Sequence, residues 1–534
     1  LSDEVKSSGA DRGMLRAAGL ISGLTLVSRL LGVVREQVFA ALLGAGMQAD
    51  AFQIAFRIPN LLRDLFAEGA LSAAFVPTYA AALARGGNAE AHRLARRLVS
   101  ALGVLLAVLV TLGVAFAGPI VEVLAPGYGD VAGKTELTVM LTRVMMPFLP
   151  LVSLAAVAMG MLNAQERFGA PAFAPAMFNV VSVTWGLGLW LLGFDARAVA
   201  VGWAVGTLLG GLAQLLAQLP SLRSDGFRFG WDWAPRDPGL LRIAALMGPA
   251  TIGLAAVQIN IFVSSRFASH EPGAVSWLMY AFRVLYLPIG IFGVALGTVA
   301  AAGLARSAAA GDAEGMRQTL RRALRMLLFL SVPATAGLWA LGVPVVRLLF
   351  ERGRFGAYDT EGTAAALSYY SLGLVAYTGV KVLAPAFYAL GTPRVPLLGS
   401  ALAVATNLVV ILALHGRFGF RMVALGTAVG SLLNAAVLVI AFERRVGGLR
   451  GQGLLAAAAR MSAAAAGMAA GCFLAARGLE AAVGSHGLLA QLVTGLVPVV
   501  LGVLLYGALA RLLGLPEIDT LLQLVRRRRG TATA

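Results

Sequence analysis

Long charge-free runs recur along the chain. The clearest cover residues 99–121, 144–164, 168–194, 198–222, 243–265, 284–305, 326–346, 395–414, 422–442 and 487–510. Each is near the ~20 apolar residues that cross a bilayer core as a helix. Four weaker runs, at about 14–43, 50–84, 362–390 and 452–476, are interrupted by charge or proline. The pattern predicts an all-α polytopic membrane protein with 14 transmembrane helices.

Composition narrows the class. Of 534 residues, 59% are hydrophobic and 13% are charged, and the mean hydropathy is +0.81. A soluble domain carries about 25% charged residues. Disorder, collagen, coiled coil and disulfide scaffold are therefore excluded. The one cysteine, Cys472, cannot form an intramolecular disulfide, and His92, His270, His415 and His486 are scattered. No metal site and no cofactor are expected. No secretory signal is expected either, because Arg29 and Arg35 interrupt the first apolar stretch.

The net charge is +17, from 43 Lys and Arg against 26 Asp and Glu. Clusters of arginine follow the even-numbered expected spans, at 85–97, 167, 223–242, 306–325, 394, 444–450 and 526–529, with Arg352 and Arg354 after the ninth span an exception partly offset by Glu351, Asp359 and Glu361. The positive-inside rule places that side, and with it both termini, in the cytoplasm. This distribution accounts for the basic balance without nucleic acid.

A repeat is visible inside this pattern. Residues 201–209 read VGWAVGTLL and residues 425–433 read LGTAVGSLL, an offset of 224. Gly169-Ala170-Pro171 and Gly391-Thr392-Pro393 echo each other at 222. Six spans per repeat is an even number, so the halves share an orientation, as in parallel-repeat transporters that work by alternating access. The expected organisation is an N-terminal lobe (14–225), a C-terminal lobe (226–448), an additional helix pair (449–513) and a basic cytoplasmic tail (514–534).

The first two expected spans carry charge where lipid would forbid it. They read SRLLGVVRE at 28–36 and DAFQIAFRIPNLLRDLFAEGALSAAFVP at 50–77. A charge at the bilayer centre costs at least ~2.5 kcal/mol, so these side chains must face a cavity or a partner. Gly32 would permit a bend that brings Arg29 and Arg35 together. Asp50, Arg57 and Asp64 stand seven apart and share a stripe if the helix continues past Pro59. Asp64 and Glu68 repel unless an arginine such as Arg63 lies near. Arg57, Asp64 and Glu68 fit either a cavity or structural pairs in the headgroup zone. Arg283, near the start of the eighth expected span, and Lys381, inside the tenth, are the corresponding charges of the second lobe. Lys381 suits a salt bridge or a substrate contact equally. A set dominated by guanidiniums favours an anionic substrate, above all phosphate or diphosphate.

These two segments, with MLNAQERFGAPAFAP at 161–175, VSWLMYAFRVLYLPIGIFGVALGT at 275–298 and KVLAPAFYALGTPRVP at 381–396, resemble the MurJ family of lipid II flippases, within the multidrug/oligosaccharidyl-lipid/polysaccharide exporter superfamily. The resemblance runs over about 14–513. It implies two six-helix lobes and a final helix pair that shelters the undecaprenyl tail. It also implies movement of lipid II from the inner to the outer leaflet of the bacterial cytoplasmic membrane, without enzymatic chemistry. Arg29, Arg35, Asp50, Arg63 and Arg283 match the family's substrate-binding charges, and Asn60, Glu68 and Lys381 match motif positions with a cavity or gating role. The implied partners are lipid II, membrane lipids and peptidoglycan-synthesis enzymes, and the implied driver is membrane potential or an ion gradient. The chain departs from many relatives at Phe282, where they carry Asp, and has no acid in 243–265 or in the eleventh expected span. No sodium site is therefore expected.

Competing functions are a flippase for another polyprenyl-linked glycan, a membrane enzyme acting on polyprenyl phosphates, and a scaffold for wall synthesis. The enzyme would need clustered acids, and only Asp64 and Glu68 come near that. A scaffold has no use for membrane-embedded arginines.

Overall fold

The computed structural model describes residues 2–64, 69–448 and 453–523. Side chains are described over the same residues except 2–22, 69–70, 249–250 and 252–257. Glu68 and the arginines at 526–529 lie outside the described residues. All regular structure among the described residues is helical.

The chain forms two compact units. The first comprises Leu1–Pro272 with Arg352–Phe355, the second Gly273–Glu351 with Gly356–Ala534. In the first unit run α1 (Ser2–Leu43), α2 (Met47–Arg63), α3 (Gly69–Ala115), α4 (Ala117–Leu124), α5 (Lys134–Met145), α6 (Phe148–Ala164), α7 (Gly169–Leu191), α8 (Ala196–Leu216), α9 (Leu219–Ser224) and α10 (Pro238–Ala268). In the second run α11 (Ala274–Pro288), α12 (Ala295–Ala309), α13 (Ala313–Ala340), α14 (Gly342–Phe350), α15 (Ala357–Ser371), α16 (Leu374–Ala389), α17 (Arg394–Phe418), α18 (Arg421–Arg445), α19 (Leu454–Val483) and α20 (Leu488–Leu512).

Among the described residues, ten helical stretches are long and apolar enough to cross a membrane, and α15 with α16, bent by 45°, makes an eleventh if the pair is one span. α2 falls outside that set because it is short and carries Asp50, Arg57 and Arg63, and in α10 the described apolar stretch is Pro238–Gly248. Chain punctuation explains where helices begin. The Asp195, Asp237 and Asp312 side chains accept hydrogen bonds from first-turn amides of α8, α10 and α13, and Pro238 stands in the first turn of α10, where its missing N–H is not needed. α3 is continuous by hydrogen bonding but breaks at Gly86–Gly87. That break divides the second and third expected spans.

Two boundaries differ from expectation. α11 opens at Ala274, and a π-helical stretch, Ile289–Val294, links it to α12. The eighth expected span therefore begins ten residues earlier than the charge-free run suggests, and Arg283 lies well inside it. The helix starts there because Val275, Trp277, Leu278 and Tyr280 are buried, so the core, not the charge, sets its length. The repeat divides the chain near 225, whereas the compact units divide it after α10. Arg97 pairs with Asp232 at 3.3 Å and with Asp237, and Leu240 and Ile243 of α10 join the core of Leu94, Leu98 and Phe227. These contacts hold α10 in the first unit.

In the second unit α19 and α20 pack on α13 through Phe329, Met461, Met468, Cys472 and Tyr506. Leu488, Leu489, Val500, Val503, Leu504 and Leu512 of α20 are exposed. Such an apolar outer face suits lipid rather than water.

Candidate functional site

The charges of the first two helices fall into separate settings. α1 runs without a break through Gly32, where the Asn179 side chain of α7 comes close and donates to the Ser28 carbonyl at 3.0 Å. Arg29 is exposed. Arg35 is half-buried, bonded to Glu36 at 2.5 Å, with its guanidinium 5.1 Å from the centre of the Phe178 ring. The bend that would unite the two arginines is not made.

On α2 the expected stripe is real, and internal bonds occupy it. The Asp50 carboxylate is wholly buried and accepts from Lys134 Nζ of α5 at 2.8 Å. One stripe position on, the Arg57 guanidinium donates to Ser265 Oγ of α10. One further, Asp64 accepts from Gln258 Nε2 of α10 at 3.4 Å and pairs with Arg63 at 2.9 Å. The seven-residue steps of α2 thus meet a seven-residue step of α10 running the opposite way. Asn60 and Arg63 are half-buried on the same helix.

Lys134 is the residue the sequence conceals. Its position reads as a loop, yet it is the first residue of α5, placed there by Gly133 in the left-handed region (φ 76°). Its Nζ lies 4.0 Å from the centre of the Tyr128 ring, a cation–π distance. The Tyr128 hydroxyl donates to the Asp50 carbonyl at 3.1 Å. Burial first, and then the Asp50 carboxylate, push the Tyr128 phenol well above its usual range, against the opposing pull of Arg57. It stays a neutral donor. Nothing in the spacing of Asp50 and Lys134 announces the pair. The faint signal is that Lys134 is one of only three lysines in an arginine-rich sequence.

In the second unit, Arg283 on α11 and Lys381 on α16 are both exposed. Beside Arg283, Phe282 packs its ring against Tyr286, Tyr370 and Tyr377, at centroid separations of 6.4, 5.5 and 6.4 Å. An aromatic group thus fills the place where many relatives were expected to carry an acid. Among the described residues no group of three or more His, Cys, Asp or Glu could hold a metal ion.

The fold is one that solved membrane transporters share. It superposes on a solved lipid II flippase MurJ in an inward closed conformation with a TM-score of 0.76, at 23% identity, over 92% of this chain and 98% of that one. It matches an inward-facing multidrug resistance MATE family transporter with a TM-score of 0.63 at 17% identity, over 82% and 99%. Within that class, the family model described as lipid II flippase MurJ matches residues 39–494, and the chain belongs to the MurJ family. A probable lipid II flippase MurJ of Vibrio cholerae is 36% identical over 80% of this chain and 82% of its own length. One from Rhizobium meliloti is 36% identical over 86% of both, and the lipid II flippase MurJ of Burkholderia cenocepacia 35% identical over 81% and 84%.

Proposed function

We propose that this multi-pass inner-membrane protein is a lipid II flippase, a transporter rather than an enzyme, moving the undecaprenyl-diphosphate-linked precursor from the inner to the outer leaflet. The observation that carries this is membership of the MurJ family over residues 39–494, on a chain that keeps Arg29, Arg35, Arg63, Arg283 and Lys381 within its helices. Guanidiniums bind phosphate oxygens through paired N–H donors, which suits a diphosphate. Arg29, Arg283 and Lys381 are exposed, and Arg35 and Arg63 are half-exposed. Asp50 differs. Its carboxylate is committed to Lys134, and its contribution is taken up below.

In this reading α1, α2 with the start of α3, and α10 are further crossings, fourteen in all, and both termini are cytoplasmic. The α19–α20 pair, with its exposed apolar face, shelters the polyprenyl tail. Membrane potential supplies about 2.3 kcal/mol per charge per 100 mV and is the proposed driver.

The test is outer-leaflet lipid II in bacteria depleted of their own flippase and supplied with this protein or its Arg283→Ala variant. Restoration by the wild type and not by the variant supports both the activity and the cationic site. An abundant wild type that restores nothing overturns lipid II as the substrate and directs the same assay to other polyprenyl-linked glycans.

A further inference from the structure

Lys134 and Asp50 are 1% and 0% exposed, and 2.8 Å separates their charged atoms. Taking two ions out of water is costly, and only their mutual attraction and added hydrogen bonds offset it. Lys134 also stands at a helix N-terminus, where the backbone dipole disfavours a cation. A lysine held against both costs is held for its partner. Around it, Tyr128 supplies a ring face to the ammonium and a hydroxyl to the Asp50 backbone.

The pair sits at the head of α2. Further along, that helix is tied to α10 by Arg57 to Ser265 and by Asp64 to Gln258. Every tie lies on one stripe, so together they set the rotation and depth of the helix that carries Asn60 and Arg63. We propose that Lys134 is a positioning residue for the transport reaction. Paired with Asp50, it fixes α2, and Asp50 acts through this pair and not by touching substrate. The transport part rests on the flippase reading above; the pair itself does not.

Removing one partner strands a buried charge, whereas removing both strands none. The experiment is therefore a double-mutant cycle on the full chain in detergent with Asp50→Asn, Lys134→Met and the two combined. Each single variant should lower the thermal midpoint by several degrees, and the double variant by less than the sum. Additive losses overturn the pair. In a Cys472→Ser background, labelling of Asn60→Cys should rise in the single variants and return in the double one. Unchanged labelling throughout overturns the positioning of α2. If the single variants fail to accumulate in the membrane, the double variant should accumulate, and its equal failure overturns the proposal. In flippase-depleted cells at matched abundance, the single variants should lose rescue tenfold or more and the double should regain it. A stable double variant without rescue makes Asp50 a substrate ligand and overturns the proposal. The melting and labelling arms use no substrate, so a wild type that moves no lipid II overturns the transport reading and leaves them to decide the pair.

Discussion

Arg29, Arg35, Arg63 and Arg283 share a side chain but not a setting. Arg35 and Arg63 each lean on the acid that follows them in sequence, whereas Arg29 and Arg283 are more open. Arg283 is therefore the position at which to ask whether a planar fork or only a positive charge is needed. Lysine keeps the charge and loses the paired donors. Losing one charge-assisted hydrogen bond costs about 1.5–3 kcal/mol, so Arg283→Lys should lower outer-leaflet delivery roughly ten- to a hundredfold while Arg283→Ala abolishes it. Equal delivery by lysine would mean that only the field matters. The arginines were legible in the sequence because each interrupts an apolar run that has no other reason to break. The role of Asp50 was not. A carboxylate in such a run reads as cavity-facing, and only the fold reveals that Lys134, 84 positions away in a segment that reads as loop, neutralises it.

At the scale of elements, the repeat read in the sequence is a packing seam. Gly202 and Gly206 of α8 face Leu189 and Trp185 of α7, and Trp185 donates to the Gly202 carbonyl at 2.7 Å. At the repeat offset, Gly426 and Gly430 of α18 face Asn407 and Ala403 of α17. Small residues recur at these positions because each pair of helices must approach closely. The two seams should respond unequally to one methyl group. A Cβ at Gly430 would stand inside contact distance of the Ala403 carbonyl oxygen, part of the backbone, whereas at Gly206 it would meet the Trp185 side chain. Overpacking costs about 1–3 kcal/mol. Gly430→Ala should fall in the upper part of that range and Gly206→Ala in the lower, read as thermal midpoints in detergent. Gly416, on the same α17, has open space around its Cβ position. Gly416→Ala should be neutral or gain up to about 1 kcal/mol from helix propensity, and a loss there would show that the seam explanation is wrong. Helix boundaries were less legible than the seam. The charge-free runs stop at the first arginine, but α11 continues through Arg283 because its neighbours on the helix are buried.

At the scale of the whole molecule, charge asymmetry carries a statement about orientation that the fold by itself does not. The net charge of +17 is not spread evenly. Arg85, Arg93, Arg96 and Arg97 lie about the break in α3, Arg223, Arg228, Arg236 and Arg242 between α8 and the body of α10, and Arg317, Arg321, Arg322 and Arg325 on the first turns of α13. The segment between α7 and α8 and the one between α4 and α5 carry few basic residues, and Lys134, at the start of α5, is consumed by Asp50. Discounting it sharpens the asymmetry, since a lysine buried in an ion pair is not a topogenic charge of a loop. On the proposed even number of crossings, the positive-inside rule would put the arginine-rich side and both termini in the cytoplasm. A fluorescent protein fused after the last residue should therefore mature and fluoresce. Alkaline phosphatase inserted at Gly193, between α7 and α8, should be active, and the same enzyme inserted at Gly230 should be inactive. Activity at Gly230 with silence at Gly193 would reverse the whole molecule in the membrane. Activity at both sites would instead mean that α8, the only long helix between them, does not cross.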